Sequence, residues 1–245
     1  MPIITTFGLY KFEMKNFIAI SVTNAGGREV EELTEAINRI LCTPIHKDIF
    51  IYDVSIEGIS KEMESILRAY SNYGVFYKRQ KKCKTLPDTP EGNNQRMNYA
   101  IARSLLDFNQ IKSGRYAVFV HLNQNMIFDG FDLQVLVDNA QLYSALSPVI
   151  ENVNGIEILS ALFDRWGTEF FPLDELTTYH ITGAVEESYT LNPKCFALSK
   201  RYANRLRDFT HSGRDPISYL NDLVYNYGGK LPKIDTQIFV HENLY

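Results

Sequence analysis

Apolar and polar positions follow two rhythms along the chain. Compact apolar runs recur at 17–23 (FIAISVT), 48–54 (DIFIYDV), 74–77 (GVFY), 116–122 (YAVFVHL) and 235–241 (DTQIFVH). Their length and their β-branched and aromatic content predict strands. Between them the apolar positions move to spacings of three and four. Residues 28–42 carry Val30, Leu33, Ala36, Ile37, Ile40 and Leu41 on one face, and 60–70 carry Met63, Ile66 and Leu67 behind a candidate N-cap, Ser60. Both read as helices with one buried stripe. Further helices are predicted at 94–108, 131–146, 199–209 and 216–227, the last stopped by Gly228-Gly229, with strand-like pieces near 156–163 and 188–198. One stretch, 78–94 (KRQKKCKTLPDTPEGNN), is irregular and polar. There is no internal repeat. Strands alternating with helices predict an α/β fold around a mostly parallel sheet.

Composition narrows the class. The 245 residues are 45% apolar and 22% charged, the balance of a globular protein with a sizeable core. A net charge of −4 and a pI near 5.8 provide no global field for a polyanion, so any nucleic-acid contact would need a local patch. Cys42, Cys83 and Cys195 are odd in number and form no CxxC pair. Neither a zinc ribbon nor a disulfide framework is suggested, and reduced thiols are the plain reading. The first residues lack an apolar run after a basic start, and no window approaches the roughly 18 uninterrupted apolar residues of a membrane span. A soluble, cytoplasmic protein is the expectation.

Several residues stand where strands end, the place at which open α/β sheets bind ligands. The first strand runs into Thr23-Asn24-Ala25-Gly26-Gly27, and the second ends in Asp53-Val54-Ser55-Ile56-Glu57-Gly58. Residues 94–103 (NQRMNYAIAR) place Arg96 and Arg103 on the helix before the central strand. That strand is entered by Gly114-Arg115-Tyr116 and leaves through His121-Leu122-Asn123-Gln124-Asn125. Near the end, Gly213-Arg214-Asp215-Pro216 opens a helix, and the last strand closes on His241.

In this order the elements resemble a glycosyltransferase of the A-type (GT-A) fold, a nucleotide-diphospho-sugar transferase, over roughly residues 16–241. The resemblance implies a single domain, 1–245, with a nucleotide-sugar-binding half (16–125) and an acceptor-binding half (126–245). It implies a UDP- or GDP-sugar donor and a hydroxyl acceptor, which is a glycan, or a modified nucleic acid or protein. Thr23, Asn24, Asp53, Arg96, Arg103, Leu122 and Asn123 then fall at donor-binding positions. Asp53 would read the base or ribose, and Arg96 or Arg103 would neutralise the diphosphate or hold an essential carboxylate.

The family's metal-binding Asp-x-Asp motif is altered here. Counted from Gly114, its acids fall on His121 and Asn123; counted back from Phe131-Asp132-Leu133, they fall on Asn123 and Asn125. Both registers stay open. With His241 as the third ligand, His121, Asn123 and Asn125 would hold Mn²⁺ or Mg²⁺, with weaker affinity because they bring no negative charge. A metal-free enzyme would need cations instead, and Lys200, Arg201 and Arg205 are the candidates. In inverting members the acid at the late helix start is the general base, which here is Asp215.

Each residue has a structural reading beside its chemical one. Asp53 also serves as a turn cap, Asp215 as an N-cap, Asn123 and Asn125 as Asx-turn residues, and His121 as a core histidine. Trp166 is an acceptor wall or a half-buried core residue. The basic run Lys78, Arg79, Lys81, Lys82 and Lys84 is a solvated loop or a phosphate patch for the donor or a nucleic-acid acceptor. Two other functions stay beside glycosyl transfer: a nucleotide-sugar-binding protein without turnover, and a nucleotidyltransferase on a related sheet. A Rossmann oxidoreductase is disfavoured, because no Gly-x-Gly-x-x-Gly follows any strand.

Overall fold

The computed structural model describes residues 17–26, 29–110, 115–152, 155–157, 185–187, 190–202, 215–228 and 233–242. The chain opens with β1 (Phe17–Asn24), α1 (Glu29–Cys42), β2 (Lys47–Asp53), α2 (Lys61–Tyr70) and β3 (Val75–Arg79). After a 3-10 turn at Lys81–Thr85 come α3 (Pro90–Gln110), β4 (Tyr116–Asn123), β5 (Met126–Phe128) and α4 (Asp132–Tyr143). The second half contributes β6 (Ala145–Asn152), β7 (Gly155–Glu157), β8 (Val185–Glu187), β9 (Cys195–Ser199), a helix α5 (Pro216–Gly228) and β10 (Lys233–Glu242).

The ten strands make one sheet in the order β3-β2-β1-β4-β9-β6-β10-β5, with β7 on β6 and β8 on β10. Strands β3, β2, β1, β4, β6 and β10 run in one sense and β5, β7, β8 and β9 in the other, so the sheet is mostly parallel. Helices cover both faces. Ile20, Val22, Val118, Val120 and Leu122 pack on one face with Leu33 and Ile37 of α1, Met63 of α2 and Leu136 of α4. Ala19, Phe119, Phe196 and Leu198 pack on the other with Ile101 and Leu105 of α3 and Leu220 of α5. Strands buried on both faces explain why the apolar runs are continuous rather than alternating. Ser60 caps α2 as its position predicts, accepting a hydrogen bond from the Met63 amide at 3.1 Å.

Strand β5 has no counterpart in the sequence pattern, the strand-like piece near 188–198 is a strand only at Cys195–Ser199 among its described residues, and three other elements depart from it as well. The helix predicted over 131–146 stops at Tyr143, because Ser144 takes a left-handed φ of 82°. That turn is held by the Arg201 guanidinium on Ser144 Oγ (2.6 Å) and by the Ser199 amide on the Ser144 carbonyl (2.7 Å). Strand β6 then follows at once, although it contains Pro148, and proline is disfavoured within an inner strand. Pro148 is tolerated where the pairing to β10 breaks: Asp235 lies opposite Pro148, and Phe239 opposite the next residue, Val149. Third, α3 begins at Pro90, taking in the end of the polar stretch as its first turn. Of the predicted strand 156–163 and helix 199–209, the parts at 158–163 and 203–209 lie outside the described residues, as does Trp166.

Leu122, expected at a donor-binding position, turns its side chain into the α1-facing core and is fully buried. Leu122→Ala is expected to cost about 2–5 kcal/mol of stability by leaving a cavity, read as a lower urea midpoint with an unchanged m-value.

Candidate functional site

The strands β1, β2 and β4 end side by side, with Asn24 opposite Asp53 and Thr23 opposite Asn123. Asp53 is fully buried there. Its Oδ1 accepts from Asn24 Nδ2 (3.2 Å), from the Ser55 amide (3.0 Å) and from Ser55 Oγ (2.6 Å). Its Oδ2 accepts from the Tyr77 hydroxyl (2.5 Å) and from the Arg79 guanidinium, with which it forms an ion pair. Arg79 also donates to Ser55 Oγ (2.9 Å) and to the Ile56 carbonyl (3.0 Å). Burial and the Asp53 carboxylate push the Tyr77 pKa up, so the hydroxyl stays a donor. Gly58 sits at φ 98°, and a Cβ there would lie 3.3 Å from the Arg79 guanidinium carbon. The Asp-x-Ser-x-x-Gly spacing thus has a local cause: Asp53 and Ser55 hold the arginine, and Gly58 leaves room for it.

Asn24 caps the other loop, accepting the Gly26 amide at 3.2 Å. Gln124 joins the first loop to the turn after β4. Its Oε1 accepts the Ala25 amide (2.8 Å), and its Nε2 donates to the Gly26 carbonyl (2.9 Å) and to Glu32 (2.7 Å).

Two cavities flank the Ala25 loop. One, of about 560 Å³, is lined by Thr23, Asn123 and Asn125 from the strand ends, Asn94 and Asn98 from α3, and Lys194 and Glu242 from the second half. The other, of about 520 Å³, lies between the Ser55–Ser60 loop and Arg96. Ala25 belongs to both walls.

A row of buried polar side chains leads into the first cavity. Because side chains alternate along a strand, Ser21, Thr23, His121 and Asn123 share the face of Ala19 and Phe119, beneath α3. Ser21 Oγ, Thr23 Oγ1, Asn123 Oδ1 and both His121 ring nitrogens are buried without a hydrogen-bond partner. Unsatisfied buried polar atoms are rare and costly. Both Thr23 and Asn123 line the first cavity, Asn123 half-buried at its rim and Thr23 with no exposed surface. His121 lies deeper, stacked on Phe196 with ring centroids 5.1 Å apart. Its burial lowers its pKa to about 3, and the neighbouring Asn123 amide offsets only part of this. The imidazole is a neutral core residue and turns no nitrogen to the cavity.

The remaining expected site residues are dispersed. Arg96 is buried at the second cavity, donating to the Pro87 carbonyl (2.9 Å), with its Nε unpartnered. Arg103 pairs instead with Asp107 (3.0 Å), which also holds Lys78 (2.7 Å) and the Tyr52 hydroxyl (3.0 Å). Asp215 is exposed and caps α5, accepting the Ser218 amide at 2.8 Å, and it lines neither cavity. His241 lies between Asp129 (3.0 Å) and Glu151 (3.3 Å), because strand alternation turns the next residue, Glu242, to the cavity. In the basic run, Lys78 and Arg79 are tied to acids, while Lys81, Lys82 and Lys84 are exposed.

The residues expected to bind Mn²⁺ or Mg²⁺ do not fit that task. Hard dications take charged oxygen ligands. His121 is sealed in the core, His241 faces elsewhere, and Asn123 and Asn125 are neutral. Among the described residues no group of three His, Cys, Asp or Glu side chains could hold a metal ion. Of the two carboxylates lining the first cavity, Glu242 is engaged by Lys194 Nζ (2.9 Å) and Asn125 Nδ2 (3.3 Å), and Glu32 by Gln124 Nε2 (2.7 Å). Glu242, Lys194 and Gln124 escaped the sequence reading. Glu242 stands one residue past His241, and Lys194 precedes a strand whose direction no local signal reveals.

This sheet, with two cavities at the ends of its parallel strands, is a GT-A-like fold. No protein-family model matches the chain, and no curated protein matches it in sequence. Among solved structures it is similar to GalNAc-T7 with UDP, GalNAc and Mn²⁺, at a TM-score of 0.59 and 14% identity, over 93% of this chain and 43% of that one. The chain thus spans less than half the length of that neighbour. A second likeness is to 4-diphosphocytidyl-2C-methyl-D-erythritol synthase from Anaerococcus prevotii, at a TM-score of 0.47 and 13% identity, over 94% of this chain and 89% of that one. Among the described residues no helix is long and apolar enough to cross a membrane.

Two measurements test this geometry. Arg79→Ala strands the Asp53 carboxylate in the interior and is expected to cost about 3–5 kcal/mol in urea unfolding. His121 gains a proton in the unfolded chain near its ordinary pKa of 6.5 but in the native state only near 3. Its effect on stability is therefore absent above pH 6.5 and grows as pH falls, reaching about 2 kcal/mol of destabilisation by pH 5. His121→Phe is expected to remove that slope when urea midpoints are compared at pH 7 and pH 5.

Proposed function

We propose that the protein is a glycosyltransferase that transfers a sugar from a nucleotide-sugar donor, UDP- or GDP-linked, to a hydroxyl acceptor. The observation that carries this reading is the pair of adjoining cavities at the ends of β1, β2 and β4, sharing the Ala25 loop. Their shape suits a ligand with two unlike parts. The nucleoside occupies the cavity under Ser55, Gly58 and Arg96, and the diphospho-sugar reaches into the cavity of Thr23, Asn123 and Asn125. Asp53 acts by holding both loops in place, since its own oxygens are taken up by Asn24, Ser55, Tyr77 and Arg79. The amide-rich wall of Asn94, Asn98, Asn123 and Asn125 suits the hydroxyls of a sugar, each amide offering donor and acceptor together. The likeness in fold to a GalNAc-T7 structure holding UDP and GalNAc supports the same ligand class. Rate enhancement then rests on orientation and on charge stabilisation in a partly enclosed site. If transfer inverts configuration, a base at Asp215, expected by its place in the chain, would have to meet the acceptor outside both cavities; Asp215→Asn, which keeps the helix cap, tests that role by loss of activity.

Calorimetric titration with UDP, GDP, CDP and ADP and their sugars tests the reading, with product analysis of any turnover. Release of a nucleoside diphosphate supports it. Release of pyrophosphate from a nucleoside triphosphate would make the protein a nucleotidyltransferase, and donor binding without turnover a binding protein. Asn123→Leu separates site from scaffold. Its buried Oδ1 has no partner, so stability is expected to hold within about 1 kcal/mol, while donor affinity falls about ten-fold or more through the lost hydrogen bond.

A further inference from the structure

Among its described residues, the second half of the chain brings one cation into the first cavity, and the sheet topology decides which. Strand β9 runs antiparallel to β4, with Cys195 opposite Leu122 and Ser199 opposite Val118. Residues that follow β9 therefore lie at the far edge of the sheet, and residues that precede it lie where β4 ends. Lys200 and Arg201, the cations expected for a metal-free enzyme, are at the far edge, where Arg201 bonds Ser144. Arg205 lies outside the described residues. Lys194 precedes the strand and is held at the site by its backbone. Its carbonyl accepts the Asn123 amide (3.0 Å), its own amide donates to Asn192 Oδ1 (2.9 Å), and the Asn192 amide donates to Ser147 Oγ (2.8 Å).

The Lys194 ammonium stands 2.9 Å from Glu242 Oε2, with side-chain exposures of 28% for the lysine and 5% for the glutamate. The carboxylate is thus the inner partner and the ammonium the outer one, facing the cavity beside Asn123 and Asn125. Among the described residues lining that cavity, Lys194 is the one cation. Two carboxylates line the cavity that a divalent ion could use: Glu242 is paired with Lys194, and Glu32 accepts from Gln124 Nε2 at 2.7 Å. An ammonium has three N–H donors and can hold a carboxylate and a phosphate at once.

Resting on the donor-site reading above, we propose that Lys194, fixed by its pair with Glu242, supplies the positive charge that binds the donor diphosphate, so that donor binding does not depend on a divalent metal. The experiment titrates UDP, GDP, CDP and ADP, and the matching nucleosides, into the wild type and variants. Each is run in EDTA, in Mn²⁺ and in Mg²⁺. For whichever diphosphate binds, the wild-type affinity is expected to agree within about two-fold across the three conditions. Lys194→Gln is expected to weaken the diphosphate by roughly ten-fold or more, the order of one charge-assisted hydrogen bond, while leaving the nucleoside unchanged. Lys194→Arg is expected to retain most of the affinity. If Lys194→Gln fails to fold because Glu242 is left unpaired, Lys194→Gln with Glu242→Gln, a neutral pair, carries the same test. Loss of wild-type binding in EDTA, with Lys194→Gln unaffected in Mn²⁺, would overturn the proposal and leave the donor reading standing. No binding of any diphosphate under any condition would overturn both.

Discussion

A charged carboxylate placed wholly inside a protein must be met by charge and hydrogen bonds, and at Asp53 that requirement organises the ligand-facing edge of the sheet. The group sits where β1 and β2 end together and draws donors from three segments: Asn24 at the end of β1, Ser55 in the loop after β2, and Tyr77 and Arg79 on β3. Arg79 spreads the constraint by reaching on to Ser55 and Ile56. The loops bordering both cavities therefore take their course from one buried charge. Gly26 and Gly58 mark the two points where this course needs positive φ, 96° and 98°, with side-chain atoms crowding against the backbone.

The edge beyond β4 obeys a different logic. Here the polar side chains outnumber their partners. Ser21, Thr23, His121 and Asn123 line up on one face because their strands pair in register at period two, which sets Ser21 opposite His121 and Thr23 opposite Asn123. His121 takes shelter against Phe196 as a neutral ring, whereas Asn123 sits at the rim of the cavity. A buried row of unsatisfied groups opening onto a cavity places structural cost where binding could recover it. The Gln124 side chain then stitches this turn to the Ala25 loop, so the two cavities share one wall.

Much of the first half was legible in the residues themselves. Apolar runs at 17–23 and 116–122, buried on both faces, could only be inner strands, and the spacing of Leu33, Ala36, Ile37 and Ile40 could only be a helix packed on them. Ser60 announced its cap. The resemblance through Asp53, Ser55 and Gly58 pointed to the edge of the sheet where the two cavities lie. The second half was read less well for a physical reason. Ala145 and Leu146 continue a helical pattern, and only the Ser144 turn, held by Arg201 and Ser199 from distant sequence, ends it there.

Local patterning thus determined the α/β class, most of the early elements and the strand ends where polar residues gather, because hydrophobic period and capping act over a few residues. The tertiary structure alone decided which of those polar groups meet. Alternation along β10 exchanges His241 for Glu242 at the cavity, and the reversed direction of β9 exchanges Lys200 and Arg201 for Lys194. Leu122 and His121 are adjacent in sequence yet lie in opposite cores. Strand sense and sheet register are set by long-range pairing, and no run of neighbouring residues encodes them.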